Sequence, residues 1–359
     1  MPNARPRIVF DSEGVCNACH HAEAKNAIDW EARREEFLSL VMENRSDGPY
    51  DCIVPWSGGK DSSSIAHKLR HQFGLRPLLV TFSPLIPNEI GEHNREALLQ
   101  DGFDSIMMRP DQRISRHLAR RFFVERGNPK IHWDAGVAAL PMQMAVRYGI
   151  PLVVYAEHAP SEYGGLVLSE EHMKLQLMSE VLEHQIGDDP SNWVDDEVEE
   201  EDLAPYLLPE LDDLNRIGVK AIYFSYFFRW SMLENYDYLK DKIDFRTDTN
   251  GRTNGTFTDF DSLDDKIDNL YYHMQFVKFG FGRATRDACR MIQNGQMTRA
   301  RGLELARKYD DEFPDRYHTE HLEYLDLSEP DFVELIDRHR NEEIWIFEGN
   351  AWRLRHPLR

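Results

Sequence analysis

Residues 55–62 read Pro-Trp-Ser-Gly-Gly-Lys-Asp-Ser and join an apolar run, 51–56, to a helical pattern, 60–73. The residue types suit the grip of a phosphorylated ligand. Gly58 and Gly59 carry no side chain to block close approach, so several main-chain N–H groups at a helix start can face one anion. The helix dipole adds partial positive charge there. Lys60 brings a mobile full charge, Ser57 and Ser62 bring hydroxyl donors, and Asp61 is placed to hold a divalent cation bridging phosphate oxygens. ATP with Mg²⁺ is the expected ligand. A Gly-rich helix start capped by Ser57 and Asp61 is the blander alternative; the order strand, glycines, lysine, helix favours the phosphate reading.

The elements that must position this loop alternate. Strands are expected at 51–56, 77–82, 104–108, 151–156 and 221–227, and helices at 60–73, 90–100, 114–125 and 137–148. Such alternation implies right-handed crossovers and an α/β fold with a doubly wound parallel sheet covered on both faces. A nucleotide then sits at the strands' C-terminal edge. Thr81 and Phe82, which close the second strand, are expected beside the adenine, with a buried strand-end aromatic as the alternative for Phe82. From 261 onward the pattern turns helical, at 262–277, 285–294, 298–309 and 329–339. The chain therefore divides into a lead-in, 1–47, an ATP-binding α/β domain, 48–235, and a mostly helical region, 236–359, packed against the sheet. The acidic stretch 188–202 reads as a solvated loop or helix face.

A chain of 359 residues can bury a substantial core. Its 42 basic and 63 acidic residues give a net charge of −21, which repels phosphodiester backbones and disfavours a nucleic-acid partner. No apolar run reaches about 18 residues and the N-terminus lacks a signal pattern, so a soluble, cytoplasmic protein without membrane contact is expected. Four cysteines, Cys16, Cys19, Cys52 and Cys289, are too few for a disulfide framework. Cys52 and Cys289 read as buried hydrophobes.

Adjacent glycines followed directly by lysine differ from a Walker loop, Gly-x-x-x-x-Gly-Lys-Ser/Thr. Ser57-Gly-Gly-Lys-Asp-Ser62 instead resembles the PP-loop ATP pyrophosphatase superfamily, which implies cleavage of ATP between the α and β phosphates and transfer of AMP to a carbonyl oxygen. Further segments resemble the N-acetyl sugar amidotransferase family, the PP-loop enzymes of lipopolysaccharide O-antigen and of pseudaminic and legionaminic acid pathways. They are Phe10-Asp-Ser-Glu-Gly-Val-Cys-Asn-Ala-Cys19, Ile28-Asp-Trp30, Glu162-Tyr-Gly-Gly165, Ser262-Leu-Asp-Asp-Lys266, Lys278-Phe-Gly-Phe-Gly-Arg-Ala-Thr285, Asn294-Gly295 with Thr298-Arg299, Lys308-Tyr-Asp310 and Trp352-Arg-Leu-Arg-His356. The resemblance implies adenylation of the N-acetyl oxygen of a sugar, usually nucleotide-linked. Attack by ammonia then gives an acetamidino group, with AMP and pyrophosphate released. It also implies ammonia from a separate class I glutaminase subunit, since no nucleophilic Cys and His arrangement is evident in the chain.

Under that resemblance Lys60, Asp61 and Glu162 are the expected catalytic residues. Lys60, the amides of Gly58 and Gly59 and Asp61-bound Mg²⁺ would stabilise the leaving pyrophosphate. Glu162 would bind the metal or take a proton from ammonia, with a surface carboxylate on a turn as its alternative. Tyr163, Gly164 and Gly165 follow the fourth strand at the same edge and are expected to meet substrate, or the glycines only shape the turn. Arg283 and Arg286 would grip phosphates bidentately, or else pair with carboxylates. Tyr226, Arg229, Trp230 and Asn235 resemble a segment that faces the sugar, with core packing an equal option for Tyr226 and Trp230. His158 stands where the family tends to have Asn, a departure that touches this turn and not the phosphate loop.

Cys16-x-x-Cys19 has zinc-knuckle spacing, but a closed site needs four ligands. The family's usual upstream Cys-x-x-Cys has no counterpart here, so the sequence starts late, or His20 and His21 complete an altered site, or no zinc binds. Two other functions stay open. One is a PP-loop tRNA thiolation enzyme, which needs reactive cysteines and a basic RNA face. The other is a non-catalytic ATP-binding subunit of a glutaminase assembly.

Overall fold

The computed structural model describes residues 2–358 apart from 47, 166, 168 and 178–180, and the backbone alone of 183–185. Short runs rich in Val, Ile and Leu form β1 (Cys52–Pro55), β2 (Pro77–Phe82), β4 (Leu152–Tyr155) and β5 (Lys220–Tyr223), with β3 (Asp104–Met108) at one edge. All pair in parallel in the order β3-β2-β1-β4-β5, with Ile53 level with both Leu78 and Val153. The fold is the doubly wound α/β type. Between the strands run α3 (Lys60–His71), α4 (Glu89–Leu99), α5 (Gln112–Arg126) and α6 (Ile131–Tyr148), preceded by α1 (Asn17–Ala24) and α2 (Trp30–Glu43).

Because side chains alternate along a strand, each run feeds both faces of the sheet. Ile53, Leu78, Val80 and Phe82 pack with Leu118 and Phe122 of α5 and Leu140 of α6. Cys52, Val54 and Leu79 pack with Phe37 of α2, Ile65 and Leu69 of α3 and Leu98 of α4. The crossover from β1 goes one way, to β2, while β4 lies on the other side of β1. The connections diverge there and leave a crevice at the C-terminal ends of β1 and β4.

The C-terminal helices include α9 (Asp268–Phe279) and α10 (Arg283–Gln293), preceded by α7 (Ala159–Tyr163) and α8 (Met232–Lys240) earlier in the chain. Leu270, Met274, Phe332 and Leu335 form a third apolar cluster with Ala119 and Phe123 on α5. Among the described residues no helix is long and apolar enough to cross a membrane.

Several elements differ from the sequence reading. The expected strand 221–227 ends at Tyr223, and Phe224–Phe227 make one helical turn. Phe224, Phe227 and Phe228 all pack around Phe37, a convergence that strand alternation would forbid. The expected helix 262–277 begins only at Asp268, after a loop in which Ser262 takes a left-handed φ of 52°. The acidic stretch is largely exposed, as expected, but it is anchored: Trp193 and Val198 are buried, and Asp188 and Asp195 pair with Arg126, Arg121 and His117 of α5. Unforeseen were α1, α2 and a terminal hairpin, Trp345–Glu348 with Ala351–Leu354, closed by Gly349 and Asn350 at positive φ.

Candidate functional site

β1 delivers Pro55, Trp56 and Ser57 to the sheet's C-terminal edge. Gly58 then bends the chain with φ +92°, and a Cβ there would stand 2.4 Å from Arg95 Cγ. Gly59 is the residue before α3, and no side chain caps that helix. The N–H donors of its first turn are therefore left for a ligand. The bend is held from outside, by Trp56 Nε1 donating to Ser63 Oγ at 2.8 Å and by an Arg95 Nη1 bond to the Ser57 carbonyl at 3.2 Å.

Lys60 is 2 % exposed, and its Nζ meets Asp61 Oδ2 at 2.8 Å and Asp261 Oδ1 at 2.5 Å. Burial opposes its charge, but Asp261 and Asp61 outweigh burial and hold the amine above its ordinary range. Asp261 also gathers Arg286 at 3.3 Å, Arg290 at 3.8 Å and Arg283 at 3.9 Å. For its carboxyl, burial resists ionisation; Lys60, Arg286, Arg283 and Arg290 overcome that and hold it well below the usual range. The Nε atoms of Arg286 and Arg290 are buried with no hydrogen-bond partner. Orphaned guanidinium donors beside an uncapped helix start fit an added phosphate.

These groups line a cleft of about 520 Å³, within the size range of nucleotide pockets. Its apolar part includes Val80, Phe82, Trp133, Val137, Pro141 and Tyr155. Glu157, at the end of β4, lines it too, and its carboxylate accepts from the Tyr163 hydroxyl at 2.6 Å. Burial, with the charge of Asp61 added, pushes the Glu157 carboxyl up to about 7. Burial likewise pushes Asp134 up to about 7, against the pull of Lys130. Asp61 and Glu157 are the hard oxygen donors that Mg²⁺ prefers. A wider hollow of about 1000 Å³ on the outer side of α5 is lined by Arg113, Arg116 and Arg120 and contains no part of the loop.

Of the residues singled out from sequence, the structure brings Ser57, Gly59, Lys60, Asp61, Ser62, Phe82, Tyr163 and Arg286 to this cleft. Others lie elsewhere. Thr81 is buried with its hydroxyl on the Trp56 carbonyl, because alternation turns Val80 and Phe82 to the cleft and Thr81 away. Glu162 is buried in an ion pair with Lys25 rather than at the cleft. Gly164 and Gly165 use their carbonyls to dock the N-terminal segment, accepting from Arg5 Nε at 2.8 Å and Asn17 Nδ2 at 2.9 Å. The Tyr226 hydroxyl donates to Glu170 while its ring lies 3.7 Å from the Arg33 guanidinium, and Arg229 reaches Asn26. Asn235 sits behind the loop and donates to Asp61 Oδ1 at 3.0 Å. Arg283 is buried behind Arg286 and donates to the Asp261 carbonyl at 2.6 Å.

The Sγ atoms of Cys16 and Cys19 stand 3.5 Å apart, as two ligands of one ion would. Among the described residues no third metal-binding side chain joins them, and His20, offered as a third ligand, bonds Asp11 at 2.6 Å instead. The residues present therefore do not fit a closed zinc site. Cys52 is fully buried in β1, and burial pushes its thiol up and away from a reactive thiolate. His158 is buried behind the turn, bonded to Ser161 Oγ at 3.0 Å.

Sequence reasoning missed Asp261, Glu157, Lys130, Asp134 and Arg290. Arg290 was within reach, since it follows Arg283 and Arg286 on one helical face. Asp261 had no local signal, being 201 residues from its partner Lys60.

No curated protein matches the chain. Residues 254–359, which carry Asp261, Arg286 and Arg290, are similar to the family model described as LPS biosynthesis protein WbpG-like, C-terminal domain.

Proposed function

We propose that the chain is an ATP-dependent amidotransferase that converts the N-acetyl group of a sugar, carried on a nucleotide, into an acetamidino group. The observation that carries this reading is the arrangement around Lys60: a buried ammonium at an uncapped helix start, with the orphaned Nε donors of Arg286 and Arg290 close by. The match to a lipopolysaccharide-biosynthesis model agrees with a sugar substrate.

The chemistry has to overcome a poor electrophile and a poor leaving group. The acetamido oxygen attacks the α-phosphate of ATP, the bond between the α-phosphorus and its bridging oxygen breaks, and pyrophosphate leaves. Lys60, Arg286 and the amides of Gly58 and Gly59 meet the charge that grows on it. Mg²⁺, when bound by Asp61, adds further charge neutralisation to the phosphates. Asn235 keeps Asp61 in place by donating to its second oxygen. Ammonia then adds to the activated carbon, Glu157 takes the proton from the incoming nitrogen, and AMP departs with the former carbonyl oxygen. Glu157 takes the role first given to Glu162, whose carboxylate is tied to Lys25. A carboxyl near 7 is well placed to accept and pass on a proton at neutral pH. The ammonia is supplied by a separate class I glutaminase, and neither nucleic acid nor membrane is a partner.

The test is a reaction with ATP, Mg²⁺, an ammonium salt and a panel of UDP-N-acetyl sugars. AMP and pyrophosphate are expected in step with amidine. Production of ADP, or of AMP without any dependence on sugar, overturns the reading.

A further inference from the structure

We infer that His67, His71 and Asp101 form a binding site for a transition-metal dication, of which zinc is the representative case. The two histidines are four residues apart on α3 and so share one face of the helix. Their rings lie 4.2 Å apart, and both Nε2 atoms point to the same carboxylate oxygen. Asp101 Oδ2 stands 2.7 Å from His71 Nε2 and 3.7 Å from His67 Nε2, and the three ligand atoms lie within 4.8 Å of one another. Ligands on zinc bonds of about 2.0–2.2 Å are separated by roughly 3.4 Å in a tetrahedron, so small side-chain shifts complete the geometry.

Two further observations point to a ligand. His67 Nδ1 is bonded to the Tyr238 hydroxyl at 2.8 Å, the outer-shell contact that fixes ring orientation in histidine metal sites and leaves Nε2 for the metal. The distance from His67 Nε2 to Asp101 is too long for a hydrogen bond, so the carboxylate bonds His71 while His67 Nε2 faces the same oxygen across a gap. His71 and Asp101 are partly exposed, with 41 % and 31 % of their side chains open, which gives an entry path and room for a water ligand. Two imidazoles and one carboxylate suit Zn²⁺, Co²⁺, Ni²⁺ or Cu²⁺ over Mg²⁺.

The site lies at the far end of the helix that begins with the phosphate loop. A bound ion would staple that end of α3 to the turn between α4 and β3. The inference does not depend on the proposed reaction.

Chelator-stripped full-length protein is titrated with Zn²⁺ by calorimetry and with Co²⁺ by visible absorption, in wild type and in a Cys16→Ser, Cys19→Ser variant. One ion per chain with nitrogen and oxygen ligands and no thiolate charge-transfer band is expected in both. His71→Ala and Asp101→Asn should each weaken binding at least about tenfold, and Tyr238→Phe about tenfold, with unchanged metal-free circular dichroism. Zinc should raise the Tm of wild type and not of the His71→Ala and Asp101→Asn variants. Failure of wild type to bind, binding unaltered in both of those variants, or binding abolished by the cysteine replacements overturns the inference.

Discussion

Lys60→Ala removes the ammonium but leaves Asp261 facing Arg283, Arg286 and Arg290, so the buried carboxylate keeps cationic neighbours. The expected outcome is a small change in Tm with AMP formation lowered by about 10²–10³, the range for losing one preorganised electrostatic donor. Glu157 makes a pH-dependent prediction. Its carboxyl rises from 4.5 to about 7 on folding, so between those values the folded chain holds a proton that the unfolded chain has released. The stabilisation is fully present below 4.5 and is lost as pH climbs through 7. Glu157→Gln imitates the protonated form. Its Tm advantage over wild type should be near zero at about pH 4.5 and grow toward about pH 8. Buried imidazoles such as His132 titrate in the opposite sense and cancel in this difference. A constant gap across pH would contradict the assignment. At this scale the sequence showed the loop because its chemistry is contiguous. It hid Glu157 and Asp261 because single carboxylates acquire meaning only from what surrounds them.

Among the elements, strands β1 to β4 were legible as short apolar runs between polar breaks, and β2 and β3 match the reading residue for residue. Failure came where tertiary packing overrode local pattern, as with the aromatic turn after β5 and the loop ahead of α9. That loop leans on α4 at Gly91, where an added Cβ would lie 2.4 Å from the Asp264 Cα. The neighbour is backbone and has no rotamer to yield. Gly91→Ala is therefore expected to cost about 1–3 kcal/mol in denaturant unfolding. By pushing away the loop that carries Asp261, it should also lower AMP formation more than that stability loss accounts for. A glycine inside a helical pattern was the one available sign that something approaches closely there.

At the scale of the molecule, the helical C-terminal region is sewn to the sheet. Asp265 accepts the amides of Leu85 and Ile86 at 2.8 and 2.9 Å, and Lys130 of the α5–α6 turn pairs with Asp268. Phe123 and Phe332 stack across the same boundary at 5.8 Å. Scanning calorimetry should accordingly give one cooperative transition, and two resolved peaks would refute this view. Asp265→Ala takes the acceptor from three amides, those of Leu85, Ile86 and Ile267, and should cost about 1–3 kcal/mol for each one left buried. The cleft draws on the chain from Pro55 to Arg290. While the protein is being synthesised, its phosphate bend is exposed long before the arginines that face it have been translated. On the proposed reading, a nascent or prematurely terminated chain would hold half of a nucleotide grip, and ATP would be spared idle cleavage until the last third of the polypeptide had emerged and closed over the sheet.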